Sequence, residues 1–175
     1  MPEAVAVNVR GKSYKMIANV MISDPNASGV IFAHGSRFGG HSLFIKDHKL
    51  YYVYNFLGIT QQQLVSTTLL KPGKYTFGME FDKEKMGAHH ESIGTMKLYV
   101  NDKVVATGPM TAQVGKFTLV GDGLCVGYDS GDAVSELYNS PGTFKGGTIS
   151  FVTVNTGTEK YLDLEQEAAR AFSKE

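Results

Sequence analysis

The chain is poor in cysteine, since Cys125 is the single cysteine among 175 residues. An internal disulfide is therefore excluded, and the fold gains nothing from an oxidising compartment. Cys125 stands in an apolar run between Leu124 and Val126, which favours a buried small hydrophobic residue over a reactive thiol. A chain of this length can bury a core without disulfides or metal, and it predicts one domain over residues 1–175.

The chain also lacks net charge, because 17 Lys and Arg residues balance 17 Asp and Glu residues. A neutral chain has no overall attraction to nucleic acid or to an anionic membrane, so neither is an expected partner. No apolar run approaches the roughly 20 residues that a membrane-spanning helix needs. The N-terminal residues show no charged segment followed by an apolar one, so no signal peptide is visible and a cytoplasmic location is expected.

Common catalytic motifs are missing as well. The sequence contains no G-x-S-x-G, Walker A or H-E-x-x-H motif. Gly121–Gly123 is rich in glycine, but a dinucleotide site needs a helix directly after the strand, and none is predicted there. No nucleophile–base pair is evident, so the chain is not expected to be an enzyme.

What the chain does contain is a series of short segments in which apolar residues alternate with polar ones, separated by turns rich in Gly, Pro, Asn and Asp. Such segments are typical of half-buried strands. Tyr75, Phe77, Met79 and Phe81 share one strand face and are predicted core. The predicted strands are Ala4–Val9, Tyr14–Ile22, Gly29–His34, His41–Lys46, Leu50–Phe56, Leu64–Leu70, Tyr75–Phe81, Thr95–Asn101, Val104–Met110, Phe117–Val120, Leu124–Tyr128 and Thr148–Val154.

Three longer polar stretches, Leu57–Gln63, Asp82–Ser92 and Asp129–Lys145, are predicted loops. The last is long enough that a functional role is expected of it. One helix is predicted, over residues 162–174, where acidic residues open the segment and apolar residues can form one stripe. About a dozen short strands with one C-terminal helix predict an all-β fold, an antiparallel sandwich or barrel.

Three histidines recur at intervals of seven residues: His34, His41 and His48. On consecutive hairpin strands their imidazoles could converge on a metal ion. The turns between them differ in length, however, so the spacing does not place the three on one face.

Asp129 and Asp132 supply hard oxygen ligands of the kind that Ca²⁺ prefers. The alternative is an Asx-rich turn, in which the carboxylates bond the backbone. No other cofactor is expected, and the sequence leaves both interpretations open.

A ligand site is the other candidate role for this part of the chain. Arg37 lies between glycines in the turn Gly35–Gly40, and its planar guanidinium could hold a carboxylate or a sulfate. Tyr52 and Tyr54 belong to an aromatic run that could stack on a sugar ring. The candidate ligand-binding residues are Arg37, His41, Tyr52, Tyr54 and Asp129.

Several long strings also resemble a known family, the C-terminal module of large bacterial arylsulfatases. They are GVIFAHGSRFGGHSLFIKDHKLYYVYNFLGI, GTMKLYVNDKVVATGPM, GKFTLVGDGLCVGYDSGDAVS, FKGGTIS and YLDLEQEAARAF. The resemblance covers the chain from Pro2 to Phe172 and implies a jelly-roll sandwich of the concanavalin A and laminin-G kind. In the family, such a module follows a separate alkaline-phosphatase-like catalytic domain.

The chain departs from the catalytic part of that family. Sulfatases make their formylglycine nucleophile from a C/S-x-P-S-R motif, and Cys125, in Leu-Cys-Val-Gly-Tyr, does not match it. The resemblance therefore implies a non-catalytic accessory module that packs on a sulfatase catalytic domain or on a second copy of itself. The alternative is a lectin-like module that binds a glycan or a sulfated ligand, with or without Ca²⁺.

Overall fold

The computed structural model describes residues 1–114 and 122–157. This part of the chain contains ten strands and one 3-10 turn over Glu3–Val5. The strands are β1 (Tyr14–Ile22), β2 (Gly29–Ser36), β3 (Gly39–Lys46), β4 (Lys49–Phe56), β5 (Thr60–Val65), β6 (Gly73–Met86), β7 (Ser92–Val100), β8 (Lys103–Ala112), β9 (Leu124–Val126) and β10 (Gly147–Thr156).

The strands form two five-stranded sheets. The first sheet has the order β10-β1-β6-β7-β8, and the second has the order β5-β4-β3-β2-β9. Neighbouring strands are antiparallel throughout both sheets. Crossovers such as β1 lying between β6 and β10 join distant parts of the chain, as in a jelly roll. The predicted all-β, antiparallel jelly-roll sandwich is confirmed.

The main core lies between the sheets and is filled by every second side chain. In β6, Phe77, Met79 and Phe81 are at most 1% exposed, and Tyr75 is partly buried against the same cluster. The predicted core face of this strand is confirmed. Burial of large apolar side chains contributes about 1.5–3 kcal/mol each, so this layer is the main source of stability.

The first predicted strand, Ala4–Val9, is wrong. The chain forms a 3-10 turn over Glu3–Val5, and residues 6–9 pair with no sheet strand. The side chain of Asn8 accepts hydrogen bonds from Arg10 N at 3.1 Å and from Arg10 Nε at 2.9 Å. This local bonding replaces the ladder that the alternating apolar pattern had suggested.

The strand predicted at Leu64–Leu70 begins earlier, so the loop predicted at Leu57–Gln63 is too long. The chain turns at Leu57 and Gly58, whose φ angles are 54° and 72°, and β5 then starts at Thr60. Ser66 ends the strand, since its hydroxyl accepts a hydrogen bond from Leu50 N at 3.0 Å.

The loop predicted at Asp82–Ser92 is also too long, because β6 continues through Asp82 to Met86. Strands β6 and β7 stay paired to the end, where Met86 lies opposite Ser92. A polar strand at a sheet surface leaves no apolar alternation to detect, which is why the sequence pattern missed it.

The segment after β9 is the long connection predicted as Asp129–Lys145, and it contains no sheet strand. Cys125 in β9 is 6% exposed, in agreement with its prediction as a buried small residue. The strand predicted at Phe117–Val120 and the helix predicted at 162–174 lie outside the described residues. Within those residues no helix is long and apolar enough to span a membrane.

Candidate functional site

An open groove of about 1050 Å³ lies beside the outer face of the second sheet. Its walls come from three places in the chain. The β2–β3 turn contributes Arg37 and Phe38, and the β4–β5 turn contributes Gly58 and Ile59. The connection between β9 and β10 contributes residues 131–133 and 135–140. Three loops that meet at one face of a rigid sheet are a typical setting for a binding site.

We call residues 129–140 the outer lobe. Its position is fixed by Asp129, which is 1% exposed. One carboxylate oxygen of Asp129, Oδ2, accepts hydrogen bonds from Val134 N and from the hydroxyl of Tyr138. Burial raises the pKa of Asp129 above its ordinary 3.8, although these two hydrogen bonds act in the opposite direction. The carboxylate is thus a structural anchor for the lobe.

Apolar contacts hold the outer lobe against the sheet. Val134 is fully buried, and it packs in a cluster with Val30 and Val53 from the outward faces of β2 and β4. The ring of Tyr138 meets Phe44 edge to face, with ring centroids 4.9 Å apart. The outer lobe therefore forms a small third layer on the second sheet.

Asn55 joins the three walls of the groove. This side chain is 1% exposed, and its amide nitrogen donates to Arg37 O and to Val134 O, each at 2.9 Å. Its oxygen accepts from Gly58 N at 3.0 Å. Every polar atom of the amide thus has a partner, which offsets the cost of burying it.

Gln61 ties β5 to the outer lobe in a similar way. Its side-chain oxygen accepts from the hydroxyl of Ser135 at 3.1 Å and from Glu136 N at 3.3 Å. Gln63 lies two residues further along the same strand face, is exposed, and also lines the groove.

The rim of the groove carries an ion pair and an aromatic ring. Arg37 Nε lies 3.2 Å from Asp132 Oδ2, with the two side chains 63% and 54% exposed. The guanidinium carbon of Arg37 is 4.6 Å from the centre of the Phe38 ring, which is itself 48% exposed. Glu136 adds a second, exposed carboxylate.

Arg37 and Asp132 are therefore the sequence-predicted residues that the structure brings together in the groove. Asp129 does not line the groove, but it anchors the outer lobe that forms one wall of it. Sequence reasoning missed Asn55, Gln61 and Phe38. A short link containing Leu57 and Gly58 between two extended runs is a hairpin signal, and it could have placed the glutamines on a strand.

The expectation that Tyr52, Tyr54 and His41 bind a ligand is corrected by their burial, because each is at most 1% exposed. They point into the core, where Tyr52 OH lies 2.6 Å from Tyr14 OH and 3.1 Å from His41 Nδ1. Burial raises the pKa of the Tyr52 hydroxyl well above 10. The hydroxyl therefore acts as a neutral structural link.

The three predicted metal-binding histidines do not converge. His34 and His41 face each other across β2 and β3, with ring centroids 5.7 Å apart. His48 instead lies at the β3–β4 turn, where its Nδ1 is 2.9 Å from Pro25 O. Burial, reinforced by His34, lowers the pKa of His41 well below 6.5.

The two predicted calcium ligands are each engaged with protein groups. Asp129 uses its carboxylate on Val134 and Tyr138, and Asp132 uses its carboxylate on Arg37. Across residues 1–114 and 122–157, no group of three His, Cys, Asp or Glu side chains is arranged to hold a metal ion. Calcium binding by Asp129 and Asp132 stays a prediction.

Comparison with solved structures places this sandwich in a class of jelly-roll modules. The carbohydrate-binding module CBM40 of the Ruminococcus gnavus IT-sialidase, bound to α2,3-sialyllactose, is similar with a TM-score of 0.61 and 14% identity, covering 90% of this chain and 82% of that chain. Domains LG4-5 of the mouse laminin α1 chain give a TM-score of 0.60 and 17% identity, covering 94% of this chain and 41% of that one. The receptor-binding domain of botulinum neurotoxin D gives a TM-score of 0.54 and 12% identity, covering 93% of this chain and 37% of that one.

At these identities the likeness establishes the fold alone, a jelly roll shared with carbohydrate-binding and laminin G-like modules. No known family model matches the chain, and no curated protein matches it. The concanavalin A-like fold implied by the sequence resemblance is thus confirmed. None of these three structures is an arylsulfatase, and that part of the resemblance stays a resemblance.

Proposed function

We propose that this chain is a non-catalytic binding module that takes a glycan in the groove beside the outer lobe. The observation that carries the proposal is the lining of the groove. Amide, hydroxyl, guanidinium and carboxylate groups surround a space of about 1050 Å³, with the half-exposed ring of Phe38 at its rim. Sugar hydroxyls both donate and accept hydrogen bonds, so a mixed polar lining suits them, and an aromatic face suits the apolar side of a sugar ring.

The fold comparison supports the same proposal by analogy. One structural neighbour is a carbohydrate-binding module bound to α2,3-sialyllactose. A shared fold does not determine function, so the groove of this chain carries the proposal and the likeness only supports it.

The non-catalytic part of the proposal depends on the same lining. Of its two carboxylates, Asp132 is paired with Arg37, and the described lining residues include neither a histidine, a lysine nor a cysteine that could act with a nucleophile. We expect no turnover of an aryl sulfate above the buffer rate. A clear rate that survives purification would contradict this part of the proposal.

A glycan array, read with millimolar Ca²⁺ and again with chelator, tests the binding proposal. The purified chain should bind a defined subset of glycans, and Phe38→Ala should weaken binding about tenfold or more, because the ring face is lost. Val104→Ala is the matched control, since Val104 is 51% exposed on the first sheet, away from the groove.

Three outcomes of the array are informative. Equal binding in both buffers would dispose of the calcium prediction for Asp129 and Asp132. Loss of binding with chelator would support it. The absence of any bound glycan in either buffer would overturn the proposed function.

The second candidate is the accessory role, in which the chain packs on a sulfatase catalytic domain or on a second copy of itself. The whole-chain sequence resemblance favours it. Sedimentation of the isolated chain tests self-association, and co-purification with a catalytic domain encoded beside it tests the heterologous contact. A monomer that co-purifies with no such domain would remove this candidate.

A further inference from the structure

We infer that the groove selects uncharged glycans and that Asp132 and Glu136 reject ligands carrying a carboxylate or a sulfate. The inference rests on the proposed function, and it names the ligand class of the same site. It runs against the acidic ligand that Arg37 suggests when the sequence is considered alone.

The first observation is the balance of charge. Of the described residues that line the groove, Arg37 alone is cationic, whereas Asp132 and Glu136 are both carboxylates. One positive and two negative charges leave the lining with one excess negative charge. An acidic ligand would therefore enter a site that already carries charge of its own sign.

The second observation is that Arg37 is already engaged. A guanidinium recognises a carboxylate or sulfate best through two parallel N–H groups. In this groove Arg37 Nε is 3.2 Å from Asp132 Oδ2, so one edge of that fork is taken. An acidic ligand would either displace Asp132 from this edge or bind the remaining Nη edge, and in both cases its negative charge would lie close to the Asp132 carboxylate.

The third observation is that hydrogen bonds anchor the backbone at both acidic residues, which keeps their exposed side chains at the groove. Asp132 N donates to Asp122 Oδ2 at 3.3 Å, and Glu136 N donates to Gln61 Oε1 at 3.3 Å. At Gly131, whose φ is 70°, a side chain would collide with the Asp122 carboxylate, so the turn that carries Asp132 needs glycine at this position. The Asp122 carboxylate thus adds a further negative charge beside the backbone of Asp132.

A neutral sugar finds suitable partners in the same place. Carboxylates accept hydrogen bonds from hydroxyl groups strongly, and the exposed amide of Gln63 can both donate and accept. A site built to accept hydroxyl protons discriminates against a ligand whose group at that position can only accept. The groove therefore favours hydroxyl over carboxylate or sulfate.

The experiment compares neutral oligosaccharides with their singly sulfated and singly sialylated counterparts on one array. The wild-type chain should bind the neutral member of each pair about tenfold more strongly, or better. The double variant Asp132→Asn, Glu136→Gln changes the charge of the lining from −1 to +1, and the preference should shrink by about the same factor. The readout is the ratio within each pair, so a general loss of affinity does not obscure it.

The control carries the same change of charge elsewhere. Glu84→Gln with Asp102→Asn alters two exposed residues of the first sheet and its turns, and it should leave the neutral-to-acidic ratio unchanged. If the wild-type chain prefers the acidic member of the pairs and Phe38→Ala weakens that binding, the inference is overturned while the proposed function stands. If no glycan of either kind binds, both are overturned.

Discussion

The side-chain amide of Gln62 pairs with the backbone of Thr111 in the manner of a strand partner. Gln62 Nε2 donates to Thr111 O at 2.8 Å, and Thr111 N donates to Gln62 Oε1 at 2.6 Å. Gln62 lies on β5, the edge of the second sheet, and Thr111 lies on β8, the edge of the first. The amide thus bridges the two sheets and satisfies backbone groups that an edge strand would otherwise leave open.

Replacing Gln62 with Ala should lower the free energy of unfolding by about 2 kcal/mol, because two hydrogen bonds are lost and the groups of Thr111 are left without them. Urea denaturation monitored by fluorescence or circular dichroism measures the change. Gln63→Ala is the matched control, since Gln63 is exposed on the opposite strand face, and it should stay within about 0.5 kcal/mol of wild type. Equal losses for the two variants would contradict the bridging role.

Tyr52→Phe removes the hydroxyl that links Tyr14 OH to His41 Nδ1. We expect a loss of about 1–3 kcal/mol in stability, because two buried polar groups lose a partner. Glycan affinity should not change, since Tyr52 is buried away from the groove. Tyr51→Phe is the control, because the Tyr51 ring faces outward, stacks on Phe44, and takes no part in this chain of hydrogen bonds. A large effect of Tyr52→Phe on binding alone would refute the assignment.

Stability should decrease as the pH falls below about 6.5. Burial and the neighbouring His34 lower the pKa of His41 in the folded chain, whereas the unfolded chain titrates near 6.5. Neutral His41 therefore makes its full contribution to stability above about pH 6.5. As the pH falls from there toward the lowered pKa of folded His41, the free energy of unfolding decreases by up to about 1.4 kcal/mol per pH unit. The aromatic groups around His41 are Tyr14, Phe32, Tyr52 and Tyr54, in addition to His34.

Urea denaturation at pH 7.5 and 5.5 measures this dependence. His41→Gln should remove part of the slope, whereas His89→Gln, at an exposed turn, should leave it unchanged. The raised pKa of Asp129 has the opposite effect, since protonation of this carboxyl stabilises the folded chain as the pH falls. The measurements therefore stop at pH 5.5, where the effect of His41 dominates. A slope that is the same in wild type and His41→Gln would assign the effect to other groups.

Asp129→Ala should loosen the outer lobe, because Val134 N and the Tyr138 hydroxyl lose their common acceptor. We expect a loss of about 2–3 kcal/mol in stability and new proteolytic cleavage within residues 130–140. Asp129→Asn keeps an acceptor oxygen without the buried charge, so it should lose less stability than Asp129→Ala. Asp132→Ala removes only an exposed ion pair and should cost less than about 1 kcal/mol. Unchanged protease resistance in Asp129→Ala would contradict the anchoring role.

The sandwich itself was predictable because alternation is a local property. Tyr75, Phe77, Met79 and Phe81 repeat every second residue, and a strand places such residues on one face whatever surrounds it. The predicted strand bounds were wrong where the sequence contains no alternation of apolar and polar residues. The polar end of β6, at Asp82–Met86, and the glutamines of β5 carry no apolar alternation, and only pairing with a neighbouring strand makes them strands.

The candidate site was only partly predictable. Arg37 and Asp132 line the groove and Asp129 supports it, whereas Tyr52, Tyr54 and His41 face the core side of the sheet. The run Leu50–Phe56 is apolar on both faces, so its sequence does not show which face is the core. The tertiary structure resolves this, because the outer lobe covers one face through Val134 and the first sheet covers the other.

The sequence by itself determined that this chain makes short antiparallel strands around a core of alternating apolar side chains, because that preference acts between neighbouring residues. The tertiary structure alone decided where the polar groups meet. Asn55, Gln61 and Asp132 are brought together by strand register and by the return of the chain over the second sheet. The hydrogen bond from Asn55 to Val134, for example, joins residues 79 positions apart, and no local pattern encodes such a contact.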